Sequence, residues 1–336
     1  MGLQEQPLIK VAGLKKYYPV RGGIIPHTID SLKAVDGVDF LIYEGETLGL
    51  VGESGCGKST IGRQLAALEK PTDGKVYYKE MDITSGKTAL PKELRREVQM
   101  VFQDPYSSLN PRKSVGDILA APMLYHKLAT RAELDSKISK LLDMVGLSVN
   151  ARYKYPLEFS GGQRQRIGIA RALSLNPRLI ICDEPVSALD VSIQAQVLNL
   201  LKDLQKELKL TYLFIGHGLE AVKYVSSRIA VMYLGRIVEI ADAKELFLNP
   251  IHPYTKALVS AAPIPGPEVR DRERLVLKGE IPSLNRVPSG CHFHPRCPFA
   301  REECSLKDPV LLAVPENSSH LAACPVLMEG EEVKDV

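Results

Sequence analysis

Strand-type and helix-type hydrophobic patterns alternate along most of the chain. Short apolar runs occur within residues 8–52 as LIKVAGL, AVDGVDFLIY and ETLGLVG, and glycines suited to turns lie between them. After residue 178 the runs LIICDEP, TYLFIGH and RIAVMYLG follow, and the first two are separated by QAQVLNLLKDLQKEL, where apolar residues recur on one helical face. Strands separated by helices predict a largely parallel sheet with helices on its faces.

The segment from about residue 104 to residue 175 interrupts this alternation. It opens with the turn-rich run DPYSSLNPRKSVGD and continues as TRAELDSKISKLLDMVGL, in which apolar residues mark one helical face. Thr130 and Glu133 have the spacing of a capping box, and Gly146 is suited to ending the helix. We therefore expect a mostly helical insertion between the strands.

The character of the chain changes again beyond about residue 250, where prolines become frequent. Proline fixes its own backbone and removes a hydrogen-bond donor, so closely spaced prolines disfavour both helices and central strands. We expect this tail to be rich in loops and to be held together by something other than a large apolar core.

Composition narrows the class of protein. With 336 residues, of which 45% are hydrophobic, the chain can bury a sizeable core. The net charge of +3 is small, and no basic block stands out, so a dedicated nucleic-acid binder is not indicated. There is no run of about 20 apolar residues, and MGLQEQPLIK lacks the layout of a signal peptide. We expect a globular protein of the cytoplasm.

A phosphate-binding loop is indicated at residues 52–60, GESGCGKST, between the apolar run TLGLV and a helical segment. Glycines allow the backbone N–H groups of such a loop to point at phosphate oxygens, and the helix N-terminus adds its positive end. The glycines are Gly52, Gly55 and Gly57. We expect Lys58 to reach the β- and γ-phosphates and Ser59 to bind Mg²⁺.

Two carboxylates follow the apolar run LIIC and supply the second half of a phosphoryl-transfer site. Asp183 is placed to bind Mg²⁺, and Glu184 to orient or deprotonate the attacking water. An Asp-Glu pair after a strand is by itself often only a solvated strand end. The phosphate loop upstream makes the functional interpretation the stronger one.

A second glycine-containing helix start lies at residues 159–166, FSGGQRQR. Ser160 and Gln163 have capping-box spacing, so an ordinary helix N-terminus is one interpretation. Ser160, Gly161 and Gly162 would also form a nest of N–H groups suited to phosphate. Because one nucleotide needs only one phosphate loop, a second nest is useful to the nucleotide of a neighbouring chain. The two segments together predict a dimer.

In their order along the chain, these motifs resemble those of ABC transporter ATPases. The resemblance rests on the phosphate loop (Walker A), VFQDP (the Q-loop), FSGGQ (the signature), LIICDEP (Walker B), SALD (the D-loop) and the histidine in FIGHGLE. It implies an α/β fold: an ABC-type P-loop ATPase domain with an antiparallel β subdomain, a helical subdomain and a small, loop-rich, cysteine-containing C-terminal extension. It also implies that two such domains pack head to tail around MgATP.

The resemblance assigns further roles within the nucleotide site. Tyr18, which is adjacent to Tyr17, would stack on adenine, and Thr60 would join Lys58 and Ser59 in binding the nucleotide. Gln103 would contact Mg²⁺ and report to membrane subunits. His217 would contact the γ-phosphate and act in catalysis with Glu184 and Lys58.

Other roles implied by the resemblance concern the dimer. Asp190 of the D-loop would work across the interface. The signature residues would act on the partner's ATP; they are Ser160, Gly161, Gly162 and Gln163.

The chain departs from the family at the switch histidine, where relatives usually carry Ser-His-Asp. Here Gly216 and Gly218 flank His217. Glycines increase backbone freedom where the histidine must be held in place, which leads to the hypothesis that this site is slower or more loosely coupled.

Several segments resemble one branch of the family, the ATPase subunits of bacterial dipeptide and oligopeptide importers, and within it the F-type subunit of the ATPase pair. They are KKYYPV, DPYSSLNPR, NPIHPYTKALVSAAP and LKGEIPS. The resemblance implies an ATPase domain at residues 1–250, with its helical subdomain at about 104–175, and an extension at 251–336. The implied partners are a second homologous ATPase, two transmembrane permease subunits and an extracytoplasmic solute-binding protein, with no nucleic acid. The implied location is the cytoplasmic face of the cell membrane, as a peripheral protein.

Four thiols lie within the proline-rich tail: Cys291, Cys297, Cys304 and Cys324. In a reducing compartment such a set suits an iron-sulfur cluster, although the spacing matches neither short ferredoxin pattern. Zinc is a rival, but its usual closely spaced cysteine pairs are absent, and free thiols are a third possibility. Nearby histidines could substitute as ligands; these are His292, His294 and His320. In the resembled family such a set is associated with a 4Fe-4S cluster.

Three alternatives in function remain at this point. An importer of nickel or another small solute would use the same machinery. A soluble ABC ATPase acting on DNA or the ribosome usually carries a long coiled coil or two ATPase domains, and the chain has one copy of each motif and no sustained heptads. A regulatory member that hydrolyses ATP poorly is supported only by the glycines beside His217.

Overall fold

The structure is a computed structural model. It describes residues 6–22, 27–84, 91–262, 277, 279–280, 282–315, 317–324 and 326. The remaining residues of the expected extension, and the first five residues of the chain, lie outside the described residues.

The strands of the described chain belong to two sheets. They are β1 (Pro7–Gly22), β2 (His27–Tyr43), β3 (Thr47–Val51), β4 (Asp73–Tyr78), β5 (Met81–Asp82), β6 (Val98–Val101), β7 (Leu179–Asp183), β8 (Thr211–Ile215), β9 (Arg228–Tyr233), β10 (Arg236–Asp242), β11 (Leu312–Val314) and β12 (Asn317–Ala322). The smaller sheet is antiparallel, in the order β2-β1-β4-β5, and its main unit is the long β1–β2 hairpin. The larger sheet has the order β11-β12-β10-β9-β3-β8-β7-β6.

Helices cover the larger sheet and fill the connections. They are α1 (Lys58–Leu65), α2 (Lys92–Glu97), α3 (Pro105–Ser108), α4 (Val115–Tyr125), α5 (Leu134–Met144), α6 (Gly161–Leu173), α7 (Val191–Leu208), α8 (Leu219–Val225), α9 (Ala243–Leu248) and α10 (Pro253–Ala261). Short 3-10 helices lie at Val149–Tyr153, Pro156–Glu158, His294–Arg296 and Glu302–Ser305. The α/β class and the antiparallel and helical parts expected from the sequence are confirmed.

The central strands of the larger sheet are buried on both faces. The strands β6, β7, β8, β3 and β9 run parallel to one another. Every residue of β7 is buried, with Ile180 and Cys182 in one hydrophobic cluster and Leu179 and Ile181 in the other. Burial on both faces explains why these strands appear in the sequence as continuous apolar runs rather than as alternating patterns.

The elements between residues 104 and 175 are helical, and their start signals differ in detail from the expectation. The backbone N–H and the hydroxyl of Thr130 both donate to the carboxylate of Glu133, at 2.7 and 3.0 Å, but α5 begins only at Leu134. Gly146 follows the helix with a φ of +67°, a value that glycine adopts without strain.

The tail is more closely joined to the body of the protein than the sequence indicates. Strand β12 pairs with β10, so that the tail extends the larger sheet by two strands. Phe293 is fully buried against Tyr233 and Tyr254, with ring centroids 5.2 and 5.6 Å away. The expectation that no large apolar core holds this segment is therefore wrong, because the segment shares the core of the ATPase fold.

Candidate functional site

The candidate site is assembled at one edge of the larger sheet. Strands β3, β6, β7 and β8 are parallel, so their carboxyl ends lie at the same edge. These ends lead into the phosphate loop at 52–60, Gln103, the pair Asp183 and Glu184, and His217. Parallel α/β sheets bind ligands at this edge.

Two glycines of the phosphate loop are required by close backbone contacts. Gly57 has a φ of +109°, and a Cβ there would lie 1.9 Å from the carbonyl oxygen of Ala34. A Cβ on Gly52 would lie 2.1 Å from the carbonyl oxygen of Met232. The loop is therefore pressed against neighbouring backbone, and a larger residue at either position would displace it.

The ammonium group of Lys58 lies inside the loop. It donates to the carbonyl oxygens of Gly52 and Glu53, at 2.8 and 3.0 Å, and lies 3.8 Å from the sulfur of Cys56. An ammonium group has three donors, and sulfur is the weakest of these acceptors. A phosphate oxygen can therefore take the third donor while the two carbonyl bonds keep the lysine in position.

The two expected Mg²⁺ ligands are in direct contact. Ser59 Oγ donates to Asp183 Oδ1 at 2.7 Å. Burial raises the pKa of Asp183, although the hydrogen bond from Ser59 acts in the opposite direction. The pair offers a hydroxyl and a carboxylate oxygen, which are ligands that Mg²⁺ prefers.

Glu184 is the meeting point of three segments. Its Oε2 accepts from Gln103 Nε2 at 3.0 Å and lies 3.2 Å from His217 Nδ1. Its backbone has a φ of +45°, which is uncommon for a residue with a side chain and is found preferentially at functional sites. The sequence predicted all three residues, and the structure brings them together.

The two adjacent tyrosines of β1 have different partners. Tyr18 OH donates to Glu69 at 2.7 Å and is hydrogen-bonded to Thr60 at the start of α1. Tyr17 OH donates to Asp36, which also accepts from Arg236. The hydroxyl of Tyr18 thus interacts with the helix that follows the phosphate loop, and the hydroxyl of Tyr17 interacts with Asp36 of β2.

The signature segment begins α6. Ser160 is its N-cap, with the reciprocal hydrogen bonds of a capping box to Gln163, at 3.1 and 3.4 Å. A Cβ on Gly162 would lie 2.3 Å from Ile193, so the glycine allows α6 to approach the start of α7 closely. Both Ser160 and Asp190, the residue before α7, are exposed.

The glycines beside His217 have different surroundings. A Cβ on Gly216 would lie 2.7 Å from Val222 Cγ2, which gives this glycine a packing role. Around Gly218 nothing lies within 4 Å of the corresponding position, and this residue is the N-cap of α8. The sequence did not indicate this difference.

All four cysteines of the tail line one cavity of about 210 Å³. They are Cys291, Cys297, Cys304 and Cys324. Burial raises the pKa of Cys291, and raises that of Cys297 to about 12, with smaller contributions from the neighbouring thiols. Among the described residues, no group of three or more His, Cys, Asp or Glu side chains is arranged to hold a single metal ion.

The three histidines considered as alternative ligands have other partners. Nε2 of His320 lies 2.7 Å from Oε1 of the buried Glu239. Nδ1 of His292 lies 2.9 Å from the carbonyl oxygen of Leu234, and Nδ1 of His294 lies 2.9 Å from that of Cys291. Of the three, His294 also lines the cavity with the four cysteines.

Sequence reasoning missed the contact between the tail and the phosphate loop. The backbone N–H of Glu53 donates a hydrogen bond to the hydroxyl of Tyr254, and the Glu53 carboxylate accepts one from Arg296. Arg296 lies 243 positions from Glu53 along the chain and in no recognised motif, so only the fold reveals it.

Within the described part of the chain, no helix has the length and apolar character needed to cross a bilayer.

Two family models match the chain. Residues 35–187 match the ABC transporter family, and residues 238–304 match the oligopeptide/dipeptide transporter C-terminal region. The second match includes Arg296 and three of the four tail cysteines.

Curated relatives match nearly the full chain. The oligopeptide transport ATP-binding protein AppF of Bacillus subtilis is 51% identical, over 95% of this chain and 97% of its own. The oligopeptide transport ATP-binding protein OppF of Salmonella typhimurium is 51% identical, over 92% and 93%. The dipeptide transport ATP-binding protein DppF of Haemophilus influenzae is 48% identical, over 92% and 94%.

Solved structures show the same fold. The ATP-binding cassette MJ0796, in a dimeric post-hydrolysis state bound to ADP and phosphate, matches with a TM-score of 0.63 and 27% identity, over 70% of this chain and 98% of its own. CbiO1 of Clostridium perfringens, part of an ABC transporter complex, matches with a TM-score of 0.63 and 26% identity, over 73% and 92%.

Proposed function

Because the chain belongs to the ABC transporter ATP-binding family, in the branch with the oligopeptide/dipeptide transporter C-terminal region, we propose that it hydrolyses ATP to power the import of dipeptides or oligopeptides. The observation that carries this proposal is the full-length similarity, near 50% identity, to peptide-transport ATP-binding proteins. The cluster of phosphate loop, carboxylates and histidine at one sheet edge provides the chemistry.

The phosphate-binding end of the site comprises Lys58, Ser59 and Asp183. Lys58 would bind the β- and γ-phosphates with its third donor, which lies 3.8 Å from the sulfur of Cys56. Ser59 and Asp183 fit Mg²⁺ because their oxygens lie 2.7 Å apart, and Gln103 would be the third residue to bind the ion. Bound Mg²⁺ supplies charge neutralisation on the phosphate oxygens.

Glu184 is the proposed general base. Its carboxylate oxygen is shared between Gln103 and His217, so these two side chains hold it at the carboxyl edge of the sheet. His217 would contact the γ-phosphate, and Glu184 would accept a proton from the attacking water.

The remaining assignments place the nucleotide between two subunits. Tyr18 stacks on adenine, supported by its contact with Thr60 at the start of α1. Asp190 acts across the dimer interface. The signature residues act on the partner's ATP; they are Ser160, Gly161, Gly162 and Gln163. The exposure of Ser160 at a helix N-terminus supports this role.

The proposed assembly contains a second homologous ATPase subunit, two transmembrane permease subunits and an extracytoplasmic solute-binding protein. The chain is peripheral, at the cytoplasmic face of the cell membrane. Residues 1–250 form the ATPase domain, with a helical subdomain at about 104–175, and residues 251–336 form the extension.

The tail cysteines are proposed to hold a 4Fe-4S cluster. The fit rests on four thiols lining one cavity of about 210 Å³, since such clusters are bound by four cysteine thiolates. The cluster would link four positions spread over residues 291–324 of the tail. Protein purified without oxygen should contain about four iron and four sulfide per chain. Stoichiometric zinc without sulfide, or no metal at all, would contradict this assignment.

Affinity isolation of the tagged chain from gently solubilised membranes, without oxygen, tests the proposed assembly. Mass spectrometry should identify two multi-span membrane proteins and a second ATPase. Ribosomal proteins or DNA in place of membrane subunits would contradict the transport function and leave the ATP site intact.

A further inference from the structure

The second residue of the phosphate loop, Glu53, is held by the C-terminal tail at two points. Its backbone N–H donates to the hydroxyl of Tyr254 at 2.9 Å. Its carboxylate accepts from Arg296 Nη1, with both oxygens at 3.3 Å. Lys58 donates to the Glu53 carbonyl oxygen at 3.0 Å. The backbone N–H, the carbonyl and the side chain of Glu53 are thus all engaged.

The two groups that hold Glu53 from the tail are themselves fixed. Tyr254 is fully buried, with its ring centroid 4.7 Å from that of Tyr233. The Arg296 side chain is only 8% exposed, and its Nη1 also lies 3.4 Å from the hydroxyl of Tyr233. The Glu53 side chain is 24% exposed, so the ion pair is largely shielded from solvent.

The fixed position of Glu53 matters because a phosphate loop binds through the directions of its backbone N–H groups. A loop that can adopt other conformations must be ordered when the nucleotide binds, and that ordering weakens binding. The neighbouring Gly52 and Gly55 provide no side chains that could hold the loop.

We propose that Arg296 and Tyr254 are positioning residues, which act through Glu53 to hold the phosphate loop in its nucleotide-binding conformation. The inference rests on the proposed binding of ATP at this loop and does not depend on which solute is transported. It gives the C-terminal tail a direct role in nucleotide affinity.

The test is steady-state ATP hydrolysis by the purified transporter complex carrying Arg296→Gln, Arg296→Lys or Tyr254→Phe in this subunit. In each case Glu184 of this subunit is intact, and ATP hydrolysis by the second ATPase subunit is abolished by mutation of its own catalytic site. We expect Arg296→Gln to raise the KM for MgATP about five- to tenfold and to change kcat less than about twofold. Arg296→Lys, which keeps the charge, should recover part of the loss. Tyr254→Phe, which removes only the hydroxyl, should also raise KM.

A double-mutant cycle separates positioning from general damage. Glu53→Gln should raise KM as much as Arg296→Gln does, and the double variant should be no worse than either single variant. The matched control is Arg286→Gln, because Arg286 is an exposed arginine in the same tail. It should leave KM unchanged. Direct binding of a fluorescent ATP analogue and the melting temperature are measured on the same samples.

Unchanged KM in Arg296→Gln, or fully additive effects in the cycle, would overturn the inference. A fall in melting temperature with no KM effect in the folded fraction would indicate a merely structural ion pair. A complex that moves no peptide but still shows the KM difference would contradict the proposed transport function and leave this inference standing.

Discussion

At the scale of single residues, the proposed catalytic groups are held by one another and by the backbone. Gln103 and His217 both approach the same oxygen of Glu184, and Ser59 donates to Asp183. These side chains come from four different segments, and each orients the others. Such preorganisation lowers the cost of arranging them during the reaction.

Glu184→Gln tests the role of the proposed base. The amide keeps the shape of the side chain but cannot accept the proton of the attacking water, so hydrolysis at this site should fall at least about 100-fold while ATP still binds. Single-turnover hydrolysis and retention of radiolabelled ATP measure the two effects. Glu220→Gln, at an exposed position in α8, is the control. Unimpaired turnover at the site containing Glu184 would remove its assignment.

The glycines beside His217 call for separate substitutions. Gly218→Asp meets no neighbour and places a preferred N-cap residue before α8, so it should be tolerated and should raise turnover if backbone freedom slows this site. Turnover that stays unchanged would contradict the hypothesis of a loosely held histidine.

Gly216→Ser should instead destabilise the protein by about 1–3 kcal/mol, because its Cβ would lie 2.7 Å from Val222. Denaturant unfolding measures the loss, and Val222→Ala in the same chain should recover part of it. Without that recovery, the close contact is not the cause.

At the scale of elements, the phosphate loop and the carboxylate pair could be predicted because each lies at the end of a buried strand. The runs TLGLV and LIICD are strands β3 and β7, and the motifs lie directly after them. The tail was harder to predict. Strand β12, NSSHLA, buries His320 and Ala322 on one face, and a polar strand whose histidine pairs with the buried Glu239 has no hydrophobic signature.

The start of α10 makes stability dependent on pH. His252 is its N-cap, and its Nδ1 accepts from the backbone N–H of Tyr254 at 3.1 Å. Burial lowers the pKa of His252 to about 4, whereas an unfolded histidine titrates near 6.5. As the pH falls below about 6.5, the histidine of the unfolded state becomes protonated first. The stability contributed by the neutral, buried His252 is therefore fully present above about pH 6.5 and is lost as the pH falls towards 4.

His252→Asn tests this dependence, because asparagine can cap the helix without titrating. Between about pH 6 and 4.5, the free energy of unfolding should fall more steeply in the wild type, by about 1 kcal/mol per pH unit. Urea unfolding across this range measures both proteins. Parallel pH profiles would contradict the buried neutral histidine.

At the scale of the whole molecule, the chain combines a site at one sheet edge with a tail that contacts it. The sequence indicated the dimer through a second helix start suited to phosphate, at Ser160. It could not indicate that Arg296 and Tyr254 contact the phosphate loop, since that contact depends on how the tail packs against the ATPase core. It also could not distinguish cluster, zinc and free thiols, because spacing along the chain does not fix the distances between sulfur atoms.

Uptake by proteoliposomes that contain the purified complex tests the central claim most directly. Radiolabelled dipeptides and oligopeptides should accumulate only with MgATP and the solute-binding protein, and a complex carrying Glu184→Gln in this subunit should accumulate little. ATP-driven accumulation of nickel or another small solute, with no accumulation of any peptide, would contradict the account.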